Sequence, residues 1–223
     1  MHIHVNGIDL YYETCGAGEP LLLLHGNGET HAIFDRAIPL LAGRFTVYAL
    51  DTRGHGESGI TEAFHYADMA EDVRCFIEAL SLERPVLYGF SDGGIVGLLL
   101  ASEHPALLSR LIVSGANTTP EGIRGGWLRF FTWLNRRVRD PKITMMLAEP
   151  QITAAMLHRI AVPTLVLAGG HDMVRRADTE FIANSIPNST LRILPLHGHG
   201  SYIVHRKRIA RLILEFAGGN APA

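Results

Sequence analysis

Gly89-Phe90-Ser91-Asp92-Gly93 sets a serine between two glycines in the pattern G-x-S-x-G. The motif follows the apolar run 85–90 (PVLYGF), which predicts a strand, and precedes 95–104 (IVGLLLASEH), which predicts a helix. A serine on so tight a strand-to-helix turn is thrust above its sheet, and glycines two residues to either side leave the turn room. A hydroxyl of ordinary pKa is a weak nucleophile, so it needs a base, and the base needs a group to orient it. Downstream of Ser91 the chain offers Asp172, in the turn GGHDMV, and then His197 and His199 in LHGHGS. The order serine, aspartate, histidine suits acyl transfer, with Ser91 as nucleophile, Asp172 as acid and one of the two histidines as base. Asp172 has a plainer use as the cap of the next helix; Asp178 is a fallback acid, but lies inside that helix. An acyl-transfer site also needs two N–H donors for the oxyanion. Asp92 N–H follows the nucleophile directly, and Asn27 N–H, flanked by Gly26 and Gly28, is the second candidate.

These residues need elements to hold them. Residues 2–6 and 9–14 flank Asn6-Gly7 and predict a hairpin. LLLLH (21–25), FTVYALD (45–51), PVLYGF, LIVSG (111–115), PTLVLAGG (163–170) and TLRILPL (190–196) predict further strands. Helical spacing marks 66–82, and 209–218 closes the chain as an amphipathic helix stopped by Gly218-Gly219. Strands alternating with helices imply an α/β fold. Its expected form is a mostly parallel twisted sheet of about eight strands, with an N-terminal antiparallel hairpin, flanked by helices. Residues 117–160 break the rhythm: they hold no convincing strand, but WLRFFTWLNRRVRD and ITMMLAEP predict short helices. The expected organisation is one domain, with a core of 1–116 and 161–223 and a small helical insertion at 117–160. Trp127, Phe130, Phe131 and Trp133 would either fasten the insertion to the sheet or line an apolar pocket. Arg136, Arg137 and Arg139 are expected to form a solvated basic face, ahead of an anion clamp or a membrane contact.

The 223 residues suit one domain with a full core. A formal charge of -2 gives no broad field for nucleic acid, and no apolar run reaches the roughly 20 residues that span a bilayer, so neither nucleic-acid binding nor stable membrane insertion is expected. Cys15 and Cys75 form no disulfide framework, and the first residues lack the basic and apolar regions of a signal peptide; a cytoplasmic location is expected. The glycine-rich turns match no nucleotide-binding fingerprint and metal-ligand spacings are absent, so no cofactor and no metal is expected. Nothing in the sequence assigns an oligomeric state.

Five motifs in order, His25-Gly26, Asp51-Thr52-Arg53-Gly54-His55-Gly56-Glu57-Ser58, Gly89 to Gly93, Gly169 to Asp172, and Gly198-His199, resemble the α/β-hydrolase superfamily over essentially the whole chain. The resemblance implies the α/β-hydrolase fold with 117–160 as a shortened cap. It also favours His199 over His197 as base, because Gly198-His199 is the pairing found before the last helix in relatives. It implies a serine hydrolase acting on a small-molecule, ester-like substrate, with Asp51 and Arg53 structural. Dehalogenases and epoxide hydrolases of the superfamily carry aspartate where this chain has Ser91, so their reactions are not expected. The same residues would also serve a lactonase, a C–C hydrolase or a perhydrolase. A low-turnover ligand-binding receptor is the alternative outside enzymology.

Overall fold

Four consecutive leucines, Leu21 to Leu24, are all fully buried in the computed structural model, which describes residues 1–218. Leu21 and Leu23 enter one hydrophobic core, Leu22 and Leu24 the other, as expected of a central strand covered on both faces. That strand is β3 (Glu19–Leu24); the others are β1 (His2–Val5), β2 (Ile8–Cys15), β4 (Phe45–Leu50), β5 (Val86–Phe90), β6 (Arg110–Ser114), β7 (Thr164–His171) and β8 (Ser189–Gly198). They form one eight-stranded sheet in the order β1-β2-β4-β3-β5-β6-β7-β8. β1 and β2 pair antiparallel, β2 runs antiparallel to β4, and every later pairing is parallel.

The helices are α1 (Ile38–Leu41), α2 (Tyr66–Ala79), α3 (Asp92–Glu103), α4 (Gly125–Val138), α5 (Pro141–Ala148), α6 (Ala154–His158), α7 (Arg176–Ser185) and α8 (Arg208–Gly218). One core takes Met69, Val73 and Phe76 of α2, the apolar residues of α3, Leu157 of α6 and Ile182 of α7. The other takes Leu41 of α1 and Ile209, Leu212 and Ile213 of α8. Helices therefore cover both faces, and the parallel strands all point their C-terminal ends to one rim. Ser91, Asp172 and His199 follow the ends of β5, β7 and β8 at that rim.

Between β6 and β7 the chain forms no strand; α4 and α5 fall on the two segments read as helical, and α6 is a further helix that the sequence reading did not name. Asp140 and Thr153 cap α5 and α6, each accepting from an N–H of the first turn, and Pro141 opens α5. α3 begins at Asp92, three residues earlier than the apolar run alone indicated. β8 runs longer than expected and β7 lies one residue later at equal length, because their pairing resumes past an irregularity at Gly169–His171 and carries Gly198 into the ladder opposite His171. Gly219, half of the expected helix stop, lies outside the described residues.

Candidate active site

Ser91 has φ 52° and ψ −114°, a positive-φ conformation outside the left-handed helical well that costs an L residue roughly 1–3 kcal/mol. The two motif glycines make the turn possible. A Cβ on Gly89 would collide with the backbone of Gly93, and one on Gly93 with the backbone of Leu24. Ser91 O accepts from Gly94 N and Ile95 N, which starts α3 and leaves Asp92, its first residue, with an N–H that has no intrahelical acceptor. Neither Asp92 N–H nor Asn27 N–H donates to a protein acceptor among the described residues.

Three side chains meet above this turn. The Ser91 hydroxyl lies 3.0 Å from His199 Nε2, and His199 Nδ1 lies 2.6 Å from Asp172 Oδ1. With Nδ1 donating to the carboxylate, Nε2 is left as acceptor for the serine proton. Asp172 also accepts from Val174 N at 3.0 Å and Gly169 N at 3.1 Å. Burial works to raise the Asp172 carboxyl, but the hydrogen bond and charge of His199 and the two N–H groups outweigh it and hold the group below the usual carboxylate range. His197 stands elsewhere: its Nδ1 faces Ser201 Oγ at 3.2 Å and its ring packs on Tyr202. Asp178 is engaged with Thr118, accepting from its N–H and its hydroxyl.

Two buried histidines shape the loop that carries Asn27. His25 Nε2 accepts from Thr52 N at 3.0 Å while Nδ1 donates to Gly26 O at 2.8 Å. Burial pushes the His25 imidazole down to about 4, which keeps it neutral for this double role. His55 Nε2 accepts from Gly28 N at 3.1 Å. The turn after β4 thus holds the loop after β3 from below. Its own frame is tight: Arg53 makes a buried two-pronged contact with Asp72 at 2.6 Å on both prongs, and Asp51 accepts from the N–H groups of His31 and Glu57. Asp51 and Arg53 therefore brace the loop, and neither bonds to Ser91, Asp172 or His199.

Asp92 is buried, and its carboxylate accepts from Tyr66 OH and from Asn27 Nδ2, each at 2.9 Å. Burial raises this carboxyl, against those two hydrogen bonds, to about 6. Gly115 (φ +63°) is a further requirement at the site. A Cβ there would lie 2.7 Å from His199 Cε1 and 2.8 Å from its Nδ1.

A cavity of about 230 Å³ opens at Ser91, bordered by Asn27, Glu29, Phe90 and His199 on the sheet side and by Phe131, Ile143, Met146 and Met173. Of the four aromatics read as pocket candidates, the structure places only Phe131 there. Trp127, Phe130 and Trp133 are 47%, 45% and 51% exposed and neither line the cavity nor fasten α4 to the sheet. The correction is geometric: the face of α4 toward the cavity presents Phe131, and the remaining apolar wall comes from α5 and from Met173, beside Asp172. Among the described residues no cluster of three His, Cys, Asp or Glu could hold a metal ion, and no helix is long and apolar enough to cross a membrane.

The family model described as alpha/beta hydrolase fold matches residues 19–152. The chain belongs to the α/β-hydrolase fold family. The human serine hydrolase BPHL is 27% identical over 248 aligned residues, covering 96% of this chain and 84% of that protein. Among solved structures, an esterase from Exiguobacterium antarcticum superposes with a TM-score of 0.85 at 21% identity, covering 98% of this chain and 99% of the other. A meta-cleavage product hydrolase from Pseudomonas fluorescens IP01 gives 0.82 at 20% identity, with 98% and 97% covered. In this α/β hydrolase, sequence reasoning missed the parts played by Gly115, His25 and His55. A glycine just after a β-strand was the one signal for Gly115; the histidines gave none beyond their place in the two family motifs.

Proposed function

We propose that the protein is a serine hydrolase that cleaves a small carboxylic ester or similar acyl bond through an acyl-enzyme. Ser91 Oγ attacks the carbonyl carbon as His199 Nε2 takes its proton, and Asp172 steadies the imidazolium that results. Asn27 N–H and Asp92 N–H donate to the tetrahedral oxyanion; losing one such donor typically costs ~10²–10³ in turnover. The imidazolium then protonates the leaving alcohol, and a water deprotonated by His199 releases the acid and restores Ser91. The observation that carries this is the unbroken contact Ser91–His199–Asp172, at 3.0 and 2.6 Å.

The cavity supports a small or medium, largely apolar acyl group, since its walls are mainly Phe90, Phe131, Ile143, Met146 and Met173. Residues 117–160 serve as a short cap, of which α4 and α5 border the cavity while α6 packs into the core. The free thiols Cys15 and Cys75 fit a reducing compartment and hence the cytoplasm. Hydrolysis of p-nitrophenyl esters from acetate to decanoate tests the proposal: turnover should favour the short chains and vanish in Ser91→Ala. A folded protein inactive on the whole series would overturn it.

A further inference from the structure

α4 is an amphipathic helix whose apolar side is uncovered. None of its residues is buried, and it packs against α5 and the turn Pro120–Gly122. Trp127, Phe130, Trp133 and Val138, all 45–55% exposed, stand on successive turns. Their rings form a continuous ladder: Phe130 stacks on Trp133 with centroids 6.2 Å apart, Trp127 stacks on Phe131 at 6.2 Å, and Phe130 meets Phe131 at 5.5 Å. The Arg137 guanidinium caps the ladder 4.7 Å from the Trp133 ring.

The charge along this helix is mainly positive, with Glu121 and Asp140 just beyond its two ends and Asp140 paired with Lys142. Residues 122–139 hold Arg124, Arg129, Arg136, Arg137 and Arg139 and no acidic residue, in a chain whose formal charge is -2. Arginine ion pairs of the described residues are made by Arg36, Arg53, Arg74, Arg110, Arg176 and Arg192, so these five stay unneutralised. Exposed tryptophan and phenylalanine flanked by arginine on one short helix is the composition of a segment that lies in a lipid headgroup layer. A second copy of the chain would bring two arginine rows together, and an uncharged surface would leave them unanswered.

We propose that α4 is a peripheral docking surface for anionic lipid. The helix, about 21 Å long at 1.5 Å per residue, is too short to span a hydrocarbon core of ~30 Å, so it lies in the interface plane. Phe131 belongs both to the aromatic ladder and to the wall of the cavity. Docking therefore sets the cavity mouth beside the lipid phase, from which an apolar ester could enter. That last consequence rests on the proposed hydrolase activity; lipid binding itself does not.

The test is built into the sequence, because Trp127 and Trp133 are its two tryptophans. The full chain is titrated with vesicles of phosphatidylglycerol and phosphatidylcholine in equal parts, at low salt, following tryptophan emission and co-flotation. The expected result is a blue shift with flotation, absent on phosphatidylcholine alone and reversed at ~0.5 M salt, where the Debye length is only a few Å. Arg136→Glu with Arg137→Glu should weaken partitioning at least ~10-fold, given about fivefold per basic residue near an anionic surface. The same double variant should hydrolyse a short soluble ester as before, which shows it folded. Phe130→Ser, which keeps both probes, should shrink the blue shift. No shift and no flotation on anionic vesicles would overturn the proposal, as would equal binding to phosphatidylcholine, or tryptophans already shielded by self-association without lipid. Ser91→Ala should still bind vesicles, so failure of the hydrolase proposal and failure of this one are separate outcomes.

Discussion

Asn27 Nδ2 lies 2.9 Å from Asp92 Oδ2, so the two residues proposed to supply the oxyanion donors are tied to each other through their side chains. The same Nδ2 reaches Lys142 O of α5 at 3.3 Å, and Asp92 Oδ1 accepts from Tyr66 OH. The loop after β3, the first turn of α3 and the first turn of α5 therefore converge on one amide. Burial and the Asp92 charge hold the Tyr66 phenol well above its usual range, so it remains a donor.

Asn27→Ala keeps the backbone N–H but removes its tether. A donor displaced by a fraction of an ångström loses more in the transition state than in the ground state. Steady-state kinetics on p-nitrophenyl acetate should show kcat lower by roughly 10–10², with KM changed far less. A rise in KM at unchanged kcat would mean that Asn27 only shapes the pocket.

Gly115→Ala should disable the histidine without unfolding the sheet. The added methyl meets His199 Cε1 and Nδ1, and the backbone at φ +63° resists any L side chain by about 1–2 kcal/mol. Activity should fall by on the order of 10²-fold, while thermal unfolding shifts by several degrees only. Wild-type turnover in a folded variant would show that His199 moves freely aside.

Asp92 contributes a pH dependence of stability of unusual sign for an aspartate. Its carboxyl is raised to about 6 in the fold, so the native state holds this proton more tightly than the unfolded chain. The contribution is fully present below the unfolded value near 3.8 and is lost as pH rises through about 6. In urea unfolding between pH 4.5 and 7.5, Asp92→Asn should gain stability relative to wild type as pH increases. A constant difference across that window would remove Asp92 as the cause.

His25 acts in the opposite direction. Its imidazole is lowered to about 4 and stays neutral in the fold, so its contribution is present above the unfolded value near 6.5 and is lost as pH falls toward 4. His25→Gln keeps a donor and an acceptor but cannot titrate. It should be less stable than wild type at pH 7 by about 1–3 kcal/mol for the disturbed buried pairing, with the gap narrowing toward pH 4.5. A gap that widens on acidification would contradict a neutral His25.

Much of this was legible in sequence because the signals are local. Leu21 to Leu24 of β3 and the whole of β5 are short apolar runs, and a sheet covered on both faces is the structure that buries every residue of such a run. Ser91 declared itself by two glycines at fixed offsets, which a collision-prone turn requires. Choosing between His197 and His199 was different: they stand two residues apart at the end of β8, the residues alone left both open, and only the resemblance favoured His199 before Ser91 and Asp172 arrived from distant strands. The aromatics of α4 misled because a helix with bulky rings on several sides carries no mark of which side meets a cavity. Trp127, Phe130 and Trp133 turned outward, while Ile143, Met146 and Met173, ordinary core residues by type, became the wall. Gly115 offered only its place after a strand, since what it makes room for, His199, arrives from the end of β8.

The most direct measurement is to react the protein with a fluorophosphonate and locate the adduct by mass spectrometry of its peptides. One phosphonyl group on Ser91 is expected, abolished in Ser91→Ala and slowed by orders of magnitude in His199→Ala. A folded protein left unmodified, or modified equally well after Ser91→Ala, would contradict a nucleophilic Ser91.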